Sequence, residues 1–267
     1  MTMETVVSAQ SLRWGPEVSA KRRERVLAEE TPVALVHDGS TTAVMMASPA
    51  DLEDFGVGFS LAEGIVETRA EIRQVEVAAA GLGWEVRMWL ASDKGQRLAA
   101  RRRFLAGPTG CGLCGVESLA EAMRPIRPLA DDGLVVEGEV LLAAMTAMEA
   151  AQRIGQLTRA VHAAGLWRPE ASPVVREDVG RHNALDKLIG AVAGEPSRSQ
   201  GVLLLTSRVS VEMIQKAAVL GAPIVCAVSA PTALAVRSAE RAGLTLVAVT
   251  RSDGFEVFTH RRRVKLR

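Results

Sequence analysis

The chain has 267 residues, of which 48% are hydrophobic and 24% are charged, a balance that is typical of a folded protein with a sizeable core. Because 32 basic residues nearly cancel 31 acidic ones, and aromatic residues are few, the composition does not favour a nucleic-acid-binding protein. Three cysteines do not make a secreted disulfide framework, and no apolar run approaches a membrane span of about 18 residues. We therefore expect a cytoplasmic protein without a targeting segment, built from two domains.

The amino-terminal part shows an α+β pattern. Residues 1–30 are polar and mixed in charge, and they predict a partly ordered lead-in. Asp38-Gly39 then lies between two β-branched runs, which is typical of a hairpin because both turn residues adopt positive φ. Ser48-Pro49-Ala50-Asp51 predicts a helix to about Glu63 with Ser48 as its N-cap. Further strands are predicted at 72–77 and 84–90.

Residues 104–115 contain too many glycines for a regular element and predict a mobile loop around Gly110-Cys111-Gly112-Leu113-Cys114-Gly115. Helical spacing resumes over 116–123, and an acidic turn ends at Gly133. We place a domain boundary there, which divides the chain into an amino-terminal α+β domain, 1–133, and a carboxyl-terminal α/β domain, 134–267.

Two cysteines separated by two residues suit a redox couple, half of a zinc site, or a nucleophile with a helper thiol. Zinc is disfavoured because Cys226 lies in an apolar run and four scattered histidines supply no second close pair of ligands. A thioredoxin-type couple is disfavoured because Cys111 and Cys114 do not lie between the strand and helix of a βαβ unit. The glycines favour a loop that carries a group between partners, and inert thiols in a turn remain the alternative.

The carboxyl-terminal part predicts a helix over 139–153 and then a parallel sheet. Its short apolar runs alternate with helical segments, so the strands must pair in parallel through right-handed crossovers. The predicted strands are 202–205, 223–228 and 244–249, and the predicted helices are 210–220 and 232–242. Polar turns at 207–210 and 229–232 follow two of these strands, at the edge where open α/β sheets bind ligands.

Four motifs occur in order along the chain. They are Gly110-Cys111-Gly112-Leu113-Cys114-Gly115, Asp178-Val179-Gly180-Arg181-His182-Asn183-Ala184-Leu185-Asp186-Lys187, Arg208-Val209-Ser210-Val211-Glu212-Met213 and Ser229-Ala230-Pro231-Thr232. Together they resemble the formate dehydrogenase accessory sulfurtransferases of the FdhD type, from about Val33 to His260. The ordered set is far more specific than the cysteine pair alone.

The resemblance implies that a cysteine desulfurase loads sulfur onto Cys111 as a persulfide, with Cys114 assisting. The sulfur would pass to the molybdenum cofactor, bis(molybdopterin guanine dinucleotide), before the cofactor enters formate dehydrogenase. GDP would be a partial mimic of this ligand, and no resident metal is implied. A cofactor-binding chaperone without sulfur transfer is the alternative function, and the oligomeric state is open, with a homodimer as one option.

The resemblance also implies a carboxyl-terminal domain of the cytidine deaminase type. It assigns cofactor binding to Val249-Thr250-Arg251-Ser252-Asp253-Gly254, although this segment is poorer in Gly and Arg than the family pattern. His162 lies where the deaminase motif would begin, but the acid of that motif is Ala164 and no cysteine pair follows. We therefore expect neither bound zinc nor deaminase activity, and His162 is either a ligand-site residue or an interior histidine.

Three further charged groups have two interpretations each. Arg181 and His182 either line a site with Asp178 and Lys187 or belong to an ion-paired helix start. The arginine runs 101–103 and 261–263 either meet phosphates or an acidic partner, or form solvated surface.

Overall fold

The computed structural model describes residues 3–16, 18–91, 126–130, 133–169, 171–195 and 200–266. These residues form fourteen strands in four sheets, together with six α-helices. The strands are β1 Val6–Gly15, β2 Val18–Ala28, β3 Thr31–His37, β4 Ser40–Ala47, β5 Ile72–Ala80, β6 Gly83–Leu90, β7 Val136–Glu137, β8 His162–Trp167, β9 Val174–Asp178, β10 Val202–Leu205, β11 Ile224–Ala227, β12 Thr245–Arg251, β13 Gly254–Val257 and β14 Val264–Lys265. The helices are α1 Leu52–Ala62, α2 Gly138–Ala151, α3 Arg153–Thr158, α4 Arg181–Ala191, α5 Val211–Leu220 and α6 Ala233–Ala242.

The first sheet of the core has the strand order β4-β3-β6-β5, with β3 and β6 parallel. The predicted hairpin between β3 and β4 is confirmed, since Asp38 and Gly39 have φ of 46° and 75°. The strands predicted at 72–77 and 84–90 are confirmed as β5 and β6. Helix α1 packs against this sheet through Phe55, which is 0% exposed.

The prediction of a partly ordered lead-in over residues 1–30 is wrong. Strands β1 and β2 form an antiparallel hairpin instead, with Arg13 paired to Lys21. Most side chains of this hairpin are exposed on both of its faces. A strand without a buried face needs no alternation of apolar and polar residues, so the pattern that predicts strands is missing here.

The prediction of Ser48 as a helix cap is also wrong. The residue before α1 is Asp51, which has left-handed backbone angles and makes no side-chain capping hydrogen bond. Ser48 is 0% exposed, and its backbone N–H donates to Asp178 Oδ2 at 3.0 Å. A partner 130 residues away in the sequence therefore determines the position of this serine.

The second large sheet has the order β13-β12-β11-β10-β8-β9. Its parallel centre, β10, β11 and β12, is confirmed as predicted, as are α5 and α6 between these strands. Gly221 and Gly243 end these two helices in left-handed conformations, as their place after helical segments suggests. Antiparallel strands β8, β9 and β13 extend the sheet on both sides and were not predicted.

One hydrophobic core joins the two large sheets. It runs from the inner face of the four-stranded sheet through α1 to α4, α5 and α6 and on to one face of the six-stranded sheet. Helix α2, which the sequence predicts over 139–153, covers the other face of that sheet in a second cluster. The mixed α/β fold is therefore shown, while the domain boundary near Gly133 and the deaminase likeness stay predictions.

Helices α1 and α4 cross at the closest approach in this core. A Cβ added to Gly58 would lie 1.7 Å from the carbonyl oxygen of Asp186, and one added to Gly190 would lie 1.9 Å from that of Asp54. Two glycines on facing helices thus bring the two backbones into direct contact. The position of α4 relative to the amino-terminal sheet depends on this contact.

Within the described ranges, no helix combines the length and the apolar character that crossing a membrane requires.

We predict that Gly190→Ala lowers the free energy of unfolding by at least about 2–3 kcal/mol, because backbone atoms of α1 cannot yield to the new methyl group. Alanine alone would favour a helix by about 1 kcal/mol, so a loss must come from the crossing. Urea denaturation measures it. Gly194→Ala is the control, since its Cβ meets nothing within 4 Å, and equal effects of the two changes would contradict the close crossing.

Candidate functional site

One edge of the six-stranded sheet gathers the three predicted motifs that fall within the described residues. The parallel strands β10, β11 and β12 end there, and the antiparallel neighbour β8 begins there with His162. Strand β9 ends at the same edge, since Asp178 pairs with His162. The turns after β10 and β11, the segment Val249–Gly254 and the first turn of α4 therefore lie along a common border.

The turns at this edge are hydrogen-bonded to each other. Val209 and Pro231 form an isolated parallel bridge, and the Thr232 N–H donates to the Val209 carbonyl at 2.9 Å. The Val249 N–H donates to the Ser229 carbonyl at 3.4 Å. Three segments separated by about twenty residues each in the sequence thus form one continuous rim.

The segment Val249–Gly254 comprises the end of β12, a two-residue turn and the first residue of β13. Val249 has a φ of 54°, at the place where the register of the two strands shifts. Such a backbone costs a β-branched residue on the order of 1–3 kcal/mol. Thr250 is buried beside Cys226, whereas Arg251, Ser252 and Asp253 are exposed.

Arg251 is held at the rim by main-chain acceptors. Its guanidinium donates to the carbonyl oxygens of Val228 and Thr250. The side chain therefore lies over the turn that follows β11. Arg208, in the turn after β10, is exposed as well, so the rim carries two arginines that solvent can reach.

Asp178 and Lys187 form a buried ion pair behind the rim. Both side chains are 0% exposed, and Lys187 Nζ lies 2.6 Å from Asp178 Oδ2. Lys187 also donates to the Ser48 carbonyl, and Asp178 Oδ1 accepts from the Gly180 N–H and the Asn183 amide. For this pair the structure supports the ion-paired helix start, because neither charge is open to a ligand.

Arg181 and His182 lie in the first turn of α4. Unlike Asp178 and Lys187, they have buried polar atoms without a hydrogen-bond partner in the described part of the chain. Among the described residues, Arg181 Nε, His182 Nε2, Ser210 Oγ and Glu212 Oε2 are buried atoms without a hydrogen-bond partner. Native proteins leave few such atoms unpaired. Burial, with Arg181 and Lys216 nearby, lowers the pKa of His182 to about 4, so its imidazole is neutral at pH 7.

A second buried charge cluster lies further along α4. Lys216 on α5 contacts Asp186 at 2.6 Å and Glu63, at the end of α1, at 3.6 Å. Burial raises the pKa of Asp186 to about 6, although Lys216 opposes the shift. This cluster is not predicted from the sequence, in which its only signal is the spacing of four between His182 and Asp186 and between Glu212 and Lys216.

His162 is half-buried at the start of β8. Burial and the Arg181 guanidinium lower the pKa of its imidazole. The neighbouring Ala163 N–H donates to Thr206 Oγ1 at 2.8 Å, which ties the start of β8 to the end of β10. His162 therefore lies on the rim, between the motif after β9 and the turn after β10.

Of the three cysteines, Cys226 lies within the described residues. Cys226, in the middle of β11, is 0% exposed, and burial raises the pKa of its thiol to about 11. Cys111 and Cys114 lie outside the described residues, as do the arginine run 101–103 and the helix predicted over 116–123.

The second arginine run is not uniformly solvated. Arg263 is 2% exposed and donates to the Gly243 carbonyl at 2.8 Å, whereas Arg261 and Arg262 are exposed. Arg263 is thus a structural residue that closes the end of α6.

Comparison with known proteins places these motifs in a family. The sequence profile of the FdhD/NarQ family matches residues 28–265. The chain belongs to the FdhD/NarQ family. Members similar to it include the sulfur carrier protein FdhD of Agrobacterium fabrum, 53% identical over 91% of this chain and 90% of that protein. The FdhD protein of Cupriavidus necator is 48% identical over 90% of this chain and 83% of that protein.

A solved structure shows the same fold. The crystal structure of a formate dehydrogenase accessory protein from Desulfotalea psychrophila superposes with a TM-score of 0.78 and 25% identity. It covers 98% of this chain and 100% of that one. The family resemblance inferred from the four motifs is therefore confirmed.

We predict that Lys187→Met lowers the free energy of unfolding by about 3–5 kcal/mol, because the change leaves the buried Asp178 carboxylate without its cation. Thermal or urea denaturation measures the loss. Lys265→Met is the matched control, since Lys265 is exposed, and should change stability by less than about 0.5 kcal/mol. A loss below about 1 kcal/mol for Lys187→Met would show that the pair is not a stabilising centre.

Proposed function

We propose that the protein is a sulfur carrier that accepts sulfur from a cysteine desulfurase as a persulfide on Cys111. It passes this sulfur to the molybdenum cofactor, bis(molybdopterin guanine dinucleotide), before the cofactor enters formate dehydrogenase. Relatives of up to 53% identity are named sulfur carrier proteins, and the structural neighbour is a formate dehydrogenase accessory protein. Both names support the proposal.

The state of Cys226 is the observation that carries this assignment. A sulfur carrier needs an accessible thiol that ionises near neutral pH, because the thiolate is the nucleophile. Cys226 is 0% exposed and its pKa is raised to about 11, so it meets neither condition. Of the three cysteines, Cys111 and Cys114 are left for the chemistry.

The sulfur transfer divides into two displacements. In the first, the Cys111 thiolate attacks the terminal sulfur of the desulfurase persulfide, and the thiolate of the desulfurase leaves. In the second, release of the sulfur as sulfide requires two electrons. A neighbouring thiol supplies them by forming a disulfide with Cys111, and the spacing in the sequence assigns this part to Cys114.

The rim of the six-stranded sheet is the proposed site for the guanine nucleotide ends of the cofactor. The helix α5 begins there after Ser210, whose side chain makes no capping hydrogen bond, so the first backbone N–H groups of α5 are available to an anion. Arg208 lies two residues before Ser210, and Arg251 lies over the turn after β11 on the same rim. A pyrophosphate between them would receive both backbone and guanidinium donors.

We predict that Cys111→Ala keeps the native fold but abolishes maturation of formate dehydrogenase, because the thiolate that accepts the sulfur is lost and the buried Cys226 cannot replace it. Cys114→Ala should reduce maturation less severely, because a thiol in solution can supply the same two electrons. Cys226→Ala is the control and should mature the enzyme normally, although the lost packing lowers its stability by about 1 kcal/mol.

Mass spectrometry after incubation with desulfurase and cysteine tests the intermediate directly. The expected product carries one additional sulfur on Cys111. If the enzyme matures without any persulfide on this chain, the protein is instead a chaperone that binds the cofactor.

We predict that GDP binds at the rim and that Arg251→Ala weakens it by roughly 1.5–3 kcal/mol, the worth of a charge-assisted hydrogen bond. Arg208→Ala should also weaken binding, and added salt should weaken it for the wild type. Calorimetry measures these affinities. Arg241→Ala is the control, because Arg241 is an exposed arginine in the last turn of α6, at the opposite end from the rim. Unchanged binding in both the Arg208 and Arg251 variants would rule out this placement.

A further inference from the structure

Among the described residues, the hairpin of β1 and β2, here called the arm, contacts the rest of the protein at its base and through the packing of β2 against α3. The arm forms a sheet of its own, in which these two strands pair with each other. Its base is closed where the Glu29 N–H donates to the Thr5 carbonyl at 2.9 Å. Two-stranded sheets are marginally stable in water. The length of the arm therefore suggests that it has a function beyond stabilising the fold.

The arm stands beside the candidate site. Strand β2 packs against α3, and α3 leads directly into His162 at the rim. A protein held by the arm would therefore be held next to that edge.

The two faces of the arm differ in charge. Directly opposed residues of an antiparallel pair share a face, and the register places Arg13, Lys21, Arg23 and Arg25 together on one of them. This basic face has no acidic residue, whereas the other face carries Arg22 and Glu24. Along β2, the cations of the basic face repeat about every 6.7 Å.

The basic face is unfavourable for the arm itself. Arg13 and Lys21 are direct cross-strand partners, and like charges in that relation destabilise a hairpin. Both are exposed, and in the described part of the chain neither has a carboxylate within 4.0 Å. Mixed charges would keep an exposed surface solvated equally well. The uniformly positive charge of this face therefore favours a role in binding.

The end of the arm also exposes apolar side chains, and the register places Leu12 on the face opposite to the basic one, paired with Arg22. Trp14 is 75% exposed and Leu12 is 65% exposed. Tryptophan and arginine are the residues that most often dominate protein interfaces. The formal net charge of the chain is only +1, which supplies no long-range attraction for a nucleic acid. These features favour a protein partner over a nucleic acid.

We propose that the basic face of the arm docks an acidic surface of a partner protein and holds that protein beside the rim. The experiment titrates two purified proteins, cysteine desulfurase and formate dehydrogenase apoenzyme, against the full-length chain. The choice of these two proteins rests on the proposed function.

The decisive variant is Lys21→Glu. It replaces the like-charged pair by an opposite-charged one with Arg13, so the arm becomes more protected against hydrogen exchange while its basic face loses charge. We expect binding of at least one of the two proteins to weaken about tenfold or more, and binding to the wild type to weaken with added salt. A purely structural role would move stability and binding in the same direction.

The matched control is Arg22→Glu, which makes the same change of charge on the neighbouring residue but on the other face. It should alter affinity by less than about twofold. The proposal is overturned if the two variants weaken binding equally, if neither does, if neither protein binds the wild type, or if a duplex DNA of mixed sequence binds the arm more tightly than both proteins.

Persulfide loading separates this proposal from the function on which its probes rest. At saturating desulfurase, Lys21→Glu should still load sulfur on Cys111 to the wild-type extent. A wild type that binds its partner through the arm but never gains a persulfide contradicts the sulfur-carrier function alone. A wild type that gains the persulfide, with no loss of affinity in Lys21→Glu, contradicts the docking role alone.

Discussion

The ion pair between Lys187 and Asp178 is the constraint on which the arrangement of this protein depends. A charge with no exposure is tolerated only when its partner and its remaining hydrogen bonds are all in place. Here those bonds come from three separate parts of the chain: the end of β4 at Ser48, the end of β9 and the start of α4. Satisfying one pair of charges therefore fixes the amino-terminal sheet against the six-stranded sheet.

The same constraint determines what the rim presents. Because Asp178 receives the Gly180 N–H and the Asn183 amide, α4 begins at a fixed place, and Arg181 and His182 follow at once. Their buried nitrogen atoms face an environment in which Ser210 and Glu212 also have unpaired atoms. A neutral imidazole and a carboxylate with one unpaired oxygen form a polar environment that suits a ligand with both donors and acceptors.

The parts of the fold that the sequence predicts are those in which a local pattern has a single physical cause. Strands β10 to β12 are buried on both faces, so they appear as short apolar runs, and Asp38-Gly39 fits its turn because both residues adopt positive φ. Strand β8 contains two alanines and a glycine, and the arm has no buried face. Neither gives the alternation on which a strand prediction rests.

The candidate site shows a similar division. The motifs after β10 and β11 could be placed at one edge in advance, because the carboxyl ends of parallel strands meet there. The motif after β9 could not, because β9 is an antiparallel strand that the sequence does not predict. The role of Ser48 could not, since a Ser-Pro pair fits a helix start locally and its true partner lies 130 residues further on. Contacts of this kind depend on the packing of the whole chain.

The core that passes through both large sheets has a consequence for how the protein denatures. Helices α1 and α4 touch through their backbones at Gly58 and Gly190, and their apolar side chains belong to one core with those of both sheets. Unfolding of one sheet would therefore expose apolar side chains of the other sheet to water. The two sheets consequently share a single cooperative transition, with a heat-capacity change that reflects their combined apolar surface.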